Sequence, residues 1–260
     1  MTGRFDGVWL KVSRATQHID SLEAAIVAFH STGPYIVTAE DDPQTGMRTA
    51  KIGSEPAPIP DEVPLILGDA VHAMRSSLDH FAYAAVPAPT KDTAFPVWRK
   101  GTPATKDLKS LVGGKLVGAS KPLKQALYAL EPYKGGHGEY VWLVDHLDLV
   151  DKHHLVLTTG VAYSAMTFDI AARVRGMVDW AKDLPVVPLS LRPAGRYPVK
   201  NGTPLFTASA EEFEKHEGLK FSFDVAFGEP QALIGEPVVS TLRRLLSEVE
   251  SLLKRLIPLV

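Results

Sequence analysis

Apolar positions near the start of the chain recur with alternating spacings of four and three: Val8, Val12, Ala15, Ile19, Leu22, Ile26 and Phe29. That spacing puts all seven on one face of a helix, which Gly33-Pro34 ends. Residues 35–39 and 47–52 are short β-type runs. The segment Asp41-Asp42-Pro43-Gln44-Thr45-Gly46 joins them, which predicts a hairpin. After the stiff spacer Pro56-Ala57-Pro58-Ile59-Pro60, a second helix is predicted from about residue 61 to 86. It tolerates Pro64 in its first turn and stops before Pro87 and Pro89.

Residues 90–104 read as extended, and a lysine-rich helical region follows to about residue 130. Another helix is predicted over roughly 139–154. Met166, Phe168, Ile170, Ala172 and Val174 then alternate with polar or small neighbours as a half-buried strand does, and Phe221, Phe223, Val225 and Phe227 repeat the pattern. The proline-rich stretch 183–205 reads as a loop. The last helix, from about Glu236, aligns Val238, Leu242, Leu245, Val249, Leu252 and Leu256 with the same four-three spacing. The expected fold class is α+β: a bundle of about four to five helices with a small antiparallel sheet. We expect one elaborated domain over 1–260. Its parts are a mostly helical 1–154 with the hairpin at about 35–52, a β-rich insertion at 155–228, and a C-terminal helix at 236–260 packing back on the bundle.

Composition narrows the chemistry. With 260 residues, 45% of them hydrophobic, the chain can bury a substantial core. It has no cysteine, which removes disulfides, thiol nucleophiles and cysteine-ligated zinc. The net charge of −2 gives no overall attraction to nucleic acid, so any such binding must rest on a local patch. No basic segment followed by an apolar run opens the chain, and no run approaches the ~18 apolar residues of a membrane span. The expected location is cytoplasmic, with no membrane partner.

The second helix carries the chemistry. Taking Arg75 as zero, Asp79, His72, Ser76, Asp69 and His80 all fall within about 140° of it at ~100° per residue. The other faces hold Leu65, Leu67, Met74, Leu78, Phe81 and Tyr83, so much of this helix is expected to be buried. A buried charge must be paired or serve a purpose. Asp79 is one turn from Arg75 and suits an internal ion pair. Alternatively, Arg75 supplies a fork of donors for phosphate oxygens and His80 moves a proton near neutrality. Together they are suited to metal-independent RNA cleavage through 2′-OH attack.

Arg75-Ser76-Ser77-Leu78-Asp79-His80 resembles the Arg-x4-His signature of the HEPN superfamily, helical nucleases of bacterial toxin and phage-defence systems. The resemblance implies Arg75 and His80 as catalytic residues, Ser76 as the small polar residue beside them, RNA as substrate and a homodimer with a composite site. Together with Ala94-Phe95-Pro96, Glu131-Pro132-Tyr133 and Asp151-Lys152-His153, the motif also resembles a group of uncharacterised bacterial and phage proteins, which imports no activity.

A second polar concentration, from Asp145 to His154, ends the predicted 139–154 helix. Lys152, His153 and His154 there suit the helix macrodipole regardless of other roles. They also offer a second wall for the same site: Asp151 or His153 is expected near His72 or His80, where a carboxylate can orient an imidazole. Asp69, His72, His146 and His153 form the alternative, a divalent site for a metal such as zinc or manganese in a non-catalytic interaction protein.

Arg99, Lys100, Lys106, Lys109, Lys115, Lys121 and Lys124 are accompanied by one acid, Asp107. This basic run suits steering of a polyanion, with Lys106, Lys109 and Lys115 the expected substrate contacts. The glycines of Leu111–Gly118 lack the spacing of a phosphate-binding loop. No G-x-S-x-G elbow occurs, which argues against Ser76 or Ser77 as a nucleophile. The function expected from sequence is therefore a metal-independent endoribonuclease with no cofactor. The alternative is a metal-binding or non-catalytic helical protein whose polar stripe pairs internally.

Overall fold

The four-three stripe of the first helix is buried at all seven positions: α1 (Asp6–Ser31) leaves none of Val8, Val12, Ala15, Ile19, Leu22, Ile26 or Phe29 more than 6% exposed. In the computed structural model, residues 3–156, 158–169, 188–191, 200–214 and 220–260 are described, and they form an α+β fold. After α1 come β1 (Val37–Asp42), β2 (Met47–Ile52) and α2 (Glu62–Ala85). Next are α3 (Thr105–Lys115), α4 (Lys121–Leu130), α5 (Glu139–His153) and β3 (Thr158–Asp169). The chain closes with β4 (Pro188–Leu191), β5 (Pro204–Ser209), a short α6 (Ala210–Glu214), β6 (Lys220–Phe227) and α7 (Val238–Leu256).

The chain divides into two compact units rather than the single domain expected from sequence. One comprises Met1–Ala25, Asp61–Leu157 and Val238–Val260; the other comprises Ile26–Pro60 and Thr158–Pro237. The hairpin explains the difference. Its strand β2 pairs with β5 (Met47↔Ser209, Thr49↔Thr207), so it belongs with the later strands and not with the helices that flank it in sequence. A period-two pattern shows which face a strand buries but not which strand lies beside it.

In the helical unit, α2 packs on α5, and α7 packs on both. Val238, Leu242, Leu245, Val249, Leu252 and Leu256 of α7 are all buried. Burying a side chain of this size contributes about 1.5–3 kcal/mol. Phe5 stacks on Phe81 at 6.1 Å between ring centroids, and Phe81 meets Phe95 at 6.3 Å. The lysine-rich region is two helices. Gly118 breaks it with φ +79°, and the Ser120 hydroxyl caps α4 by accepting from the Leu123 N–H at 3.2 Å.

Among the described residues, the second unit holds two three-stranded antiparallel sheets, ordered β1-β2-β5 and β4-β3-β6. In the first, β1 is an exposed edge. Its acids pair with cations of β2: Asp41 receives two bonds from Arg48, at 2.6 and 2.9 Å, and Glu40 pairs with Lys51. Strand β4 lies within the stretch read as a loop. The expected strand positions Ile170, Ala172 and Val174 lie outside the described residues. No helix among the described residues is long and apolar enough to cross a membrane.

Candidate functional site

Asp145 of α5 is 1% exposed and Arg75 of α2 is 8% exposed. The Arg75 Nε donates to Asp145 Oδ1 at 2.9 Å. One terminal nitrogen donates to Asp79 Oδ1 at 2.7 Å and the other to the Phe95 carbonyl at 3.3 Å. Each guanidinium nitrogen of Arg75 therefore has a partner. Arg99 clasps the same Asp145 carboxylate from the solvent side, through Nε at 2.6 Å and a terminal nitrogen at 2.9 Å. Asp79 also accepts the Phe95 N–H at 2.9 Å, so the extended segment after α2 is held at Phe95 by both its N–H and its carbonyl. Trp98 completes the anchoring by donating its backbone N–H to the Pro132 carbonyl at 2.9 Å.

Burial pushes the Asp145 carboxyl upward. Hydrogen bonds from Arg99 and the charge of Arg75 more than offset this, holding it below the usual carboxylate value of 3.8. Arg99 is correspondingly raised, first by its hydrogen bond to Asp145.

His80 is elsewhere. Five residues along the helix from Arg75, it is exposed, and its ring lies over Gly7 of α1, where an added Cβ would come 2.8 Å from Nδ1. Arg75 lines a cleft of about 400 Å³ with Ala94, Phe95, Trp98, Arg99 and Lys115. His80 lines a separate cleft of about 580 Å³ with Arg4, Asp79, Tyr83 and Thr93. The structure thus gives the two motif residues different surroundings, linked through Asp79.

On the α5 side it is Asp148, rather than the expected Asp151 or His153, that meets an imidazole of α2. His72 Nδ1 is 2.9 Å from Asp148 Oδ1, and Lys152 Nζ is 2.5 Å from Asp148 Oδ2. Asp151 presses against Gly68 of α2, where a Cβ would lie 2.2 Å from its Oδ1. Burial raises the Asp151 carboxyl, reinforced by Asp148 and Asp69 and opposed by His72 and Lys152. His153 is exposed. His146 stacks on Trp142 at 4.8 Å. The alternative metal set of Asp69, His72, His146 and His153 is not gathered, and no group of three or more His, Asp or Glu side chains among the described residues is placed to hold a metal ion.

Of the expected substrate lysines, Lys115 lines the Arg99 cleft and donates to the Asp92 carbonyl at 3.2 Å. Lys106 and Lys109 are exposed on α3 and do not line it. Sequence reasoning missed Asp145, Asp148 and the inward role of Arg99. The available signal was the three-residue spacing of Asp145, Asp148 and Asp151, which makes an acidic stripe opposite the Arg/His stripe of α2.

Comparison with family models, curated proteins and solved structures gave no match to this chain.

Two stability predictions follow from these charges. Asp145→Asn removes the charge that Arg75 and Arg99 share and leaves the buried Arg75 with Asp79 as its carboxylate partner. Urea unfolding at pH 7 is therefore expected to show a loss of up to ~3–5 kcal/mol. Because the folded state holds Asp145 below 3.8, its contribution is complete above that pH and disappears as pH falls through the lower folded value. The wild-type advantage should therefore close in acid. Asp151→Asn is expected to act oppositely. With its folded value raised, Asp151 favours the fold below 3.8 and loses that contribution as pH rises. The variant should melt higher than wild type at pH 7, with the gain vanishing at low pH; an unchanged or lower melting temperature at pH 7 contradicts this account.

Proposed function

We propose that this chain is a binding protein for single-stranded RNA, with Arg75 serving as an architectural residue behind the binding cleft. The supporting observation is the composition of the Arg99 cleft: four cations (Arg75, Arg99, Lys100 and Lys115) against the one carboxylate of Asp145, with Trp98 beside them. Arg99 keeps its side chain 54% exposed while anchored on Asp145, so its charge is held at the mouth in a fixed orientation. A fixed guanidinium flanked by lysine ammonium groups suits a phosphate backbone, and an indole suits a base stacked against it. The volume of about 400 Å³ is within the range of sites that take a nucleotide-sized group. This reading retains the polyanion role of the basic run but narrows it to Arg99, Lys100 and Lys115.

The test is fluorescence anisotropy with a labelled single-stranded RNA of about ten nucleotides. Trp98→Ala should weaken binding by about 1–3 kcal/mol, the scale of one base stack. Lys115→Glu should weaken it further and flatten the dependence of affinity on salt. Affinity that ignores both substitutions removes the proposal.

RNA cleavage is a second reading, relocated from the Arg75–His80 pair to the His80 cleft. There an exposed imidazole shares an open space with Arg4 and Tyr83. As a metal-independent nuclease of toxin or defence type, the protein would leave 2′,3′-cyclic phosphate ends in the presence of EDTA. The dimer implied by the HEPN resemblance belongs to this reading. His80→Ala should lower cleavage by about 10²–10⁴-fold, the scale of general acid–base catalysis, without changing the melting temperature. His80 has no hydrogen-bond partner among the described residues to lose. Cleavage that persists in His80→Ala, or depends on added metal, defeats this second reading.

A further inference from the structure

We propose that Ser76, His72 and Asp148 form a nucleophilic site reactive toward activated acyl and phosphonyl compounds, separate from both clefts. The geometry supplies the roles. Asp148 is 4% exposed, and both of its oxygens are engaged, Oδ1 with His72 Nδ1 at 2.9 Å and Oδ2 with Lys152 Nζ at 2.5 Å. A carboxylate paired with a lysine accepts hydrogen bonds, so the imidazole proton facing it resides on Nδ1. The other ring nitrogen, Nε2, is then the basic one. It faces Ser76 Oγ at 3.4 Å, an open distance that a bound substrate commonly tightens. Carboxylate, imidazole and hydroxyl thus stand in the order that activates a serine.

The helices produce this order by spacing. His72 and Ser76 lie one turn apart on α2, and Asp148 and Lys152 lie one turn apart on α5. The His72 side chain is 56% exposed and Ser76 is partly exposed, so a reagent reaches the pair from solvent. Ser77, in contrast, is buried and donates to the Met74 carbonyl at 2.7 Å. The missing G-x-S-x-G elbow, which in the sequence argues against Ser76, rules out a serine on a strand-to-helix turn. Here the serine is instead paired with His72 one turn away and, through it, with Asp148 on the facing helix.

The same setting limits the substrate class. Ser76 lies within α2, where backbone N–H groups are committed to the helical ladder and none is free to hold a developing oxyanion. One missing oxyanion donor costs about 10²–10³-fold in rate. Amides and alkyl esters are therefore poor substrates, and reactivity is confined to compounds whose leaving group departs readily, such as aryl esters and fluorophosphonates. With a fluorophosphonate, Ser76 Oγ forms a bond to phosphorus while His72 Nε2 takes its proton. The P–F bond breaks, fluoride leaves with the electron pair, and His72 releases the proton to solvent. With an aryl ester, the phenolate leaves in the same way. Water then attacks the acyl-serine, His72 takes its proton, and that proton returns to Ser76 Oγ as the carboxylic acid departs.

The full chain treated with an alkyl fluorophosphonate should gain one adduct mass, mapped by peptide mass spectrometry to Ser76. His72→Ala should slow labelling by about 10²–10⁴-fold. Asp148→Asn should slow it by roughly tenfold or more, since an amide no longer fixes the proton on Nδ1. If His72→Ala does not fold, His72→Gln serves, because it keeps the polar volume and lacks the base. Hydrolysis of p-nitrophenyl acetate by wild type should show a burst equal to the protein concentration, absent in Ser76→Ala. An adduct on other residues, labelling of Ser76 that ignores the His72 variants, or full esterase activity in Ser76→Ala overturns the proposal.

Discussion

A carboxylate with almost no solvent contact must find its counter-charges inside the protein, and Asp145 finds two. Taking such a group out of water costs several kcal/mol, which is recovered only if geometry and hydrogen bonding are nearly complete. Arg75 approaches from α2 and Arg99 from the segment beyond it, so the two guanidiniums share one carboxylate and three chain segments meet there. The consequences reach outward. Arg75 is turned so that its remaining nitrogens meet Asp79 and Phe95, and that in turn sets the path of the chain toward Trp98. The cationic cleft has a floor because the ion pairs beneath it are satisfied.

This arrangement also separates support from exposure. Arg75 contributes charge to the cleft but presents little surface, whereas Arg99 is anchored through its guanidinium on Asp145 while its side chain stays 54% exposed. A guanidinium fixed by a buried carboxylate loses little further freedom when a phosphate arrives, which is how an anchored cation gains over a free lysine. The cost is stability that depends on a single acid. The α2–α5 seam also carries another carboxylate, Asp151, which His72 and Lys152 compensate only in part and for which Gly68 leaves room.

The helices and their buried faces were legible in the sequence because a 3.6-residue period displays itself within one element. α1 and α7 buried every position that the four-three spacing selected. Strand partners were not legible: nothing local to Met47–Ile52 points to Pro204–Ser209, and β4 is only four residues long in proline-rich surroundings. The site was half legible for the same reason. The polar stripe of α2 was visible, as was the ability of Asp79 to pair with Arg75. Asp145 and Asp148 do not stand out in the sequence, because the histidines between and after them carry the stronger chemical signal. Their importance arises from facing another helix, a relation no single period encodes.

The spacing of the motif itself bears on its chemistry. On a straight α-helix, residues four apart are separated by about 40° and residues five apart by about 140°. Arg75 and Asp79 therefore meet at once, while Arg75 and His80 diverge unless something beyond the helix brings them together. Once a buried acid on α5 draws Arg75 inward, His80 is directed toward α1 and solvent, and one phosphate cannot be held by both side chains of the same helix without breaking the Asp145 pairing. A second chain supplying the complementary residue would escape that constraint for His80, because His80 is exposed, but would still meet an Arg75 whose nitrogens are occupied. Any phosphate chemistry at His80 must therefore draw its cation from elsewhere, and Arg4 is the one that lines the same cleft.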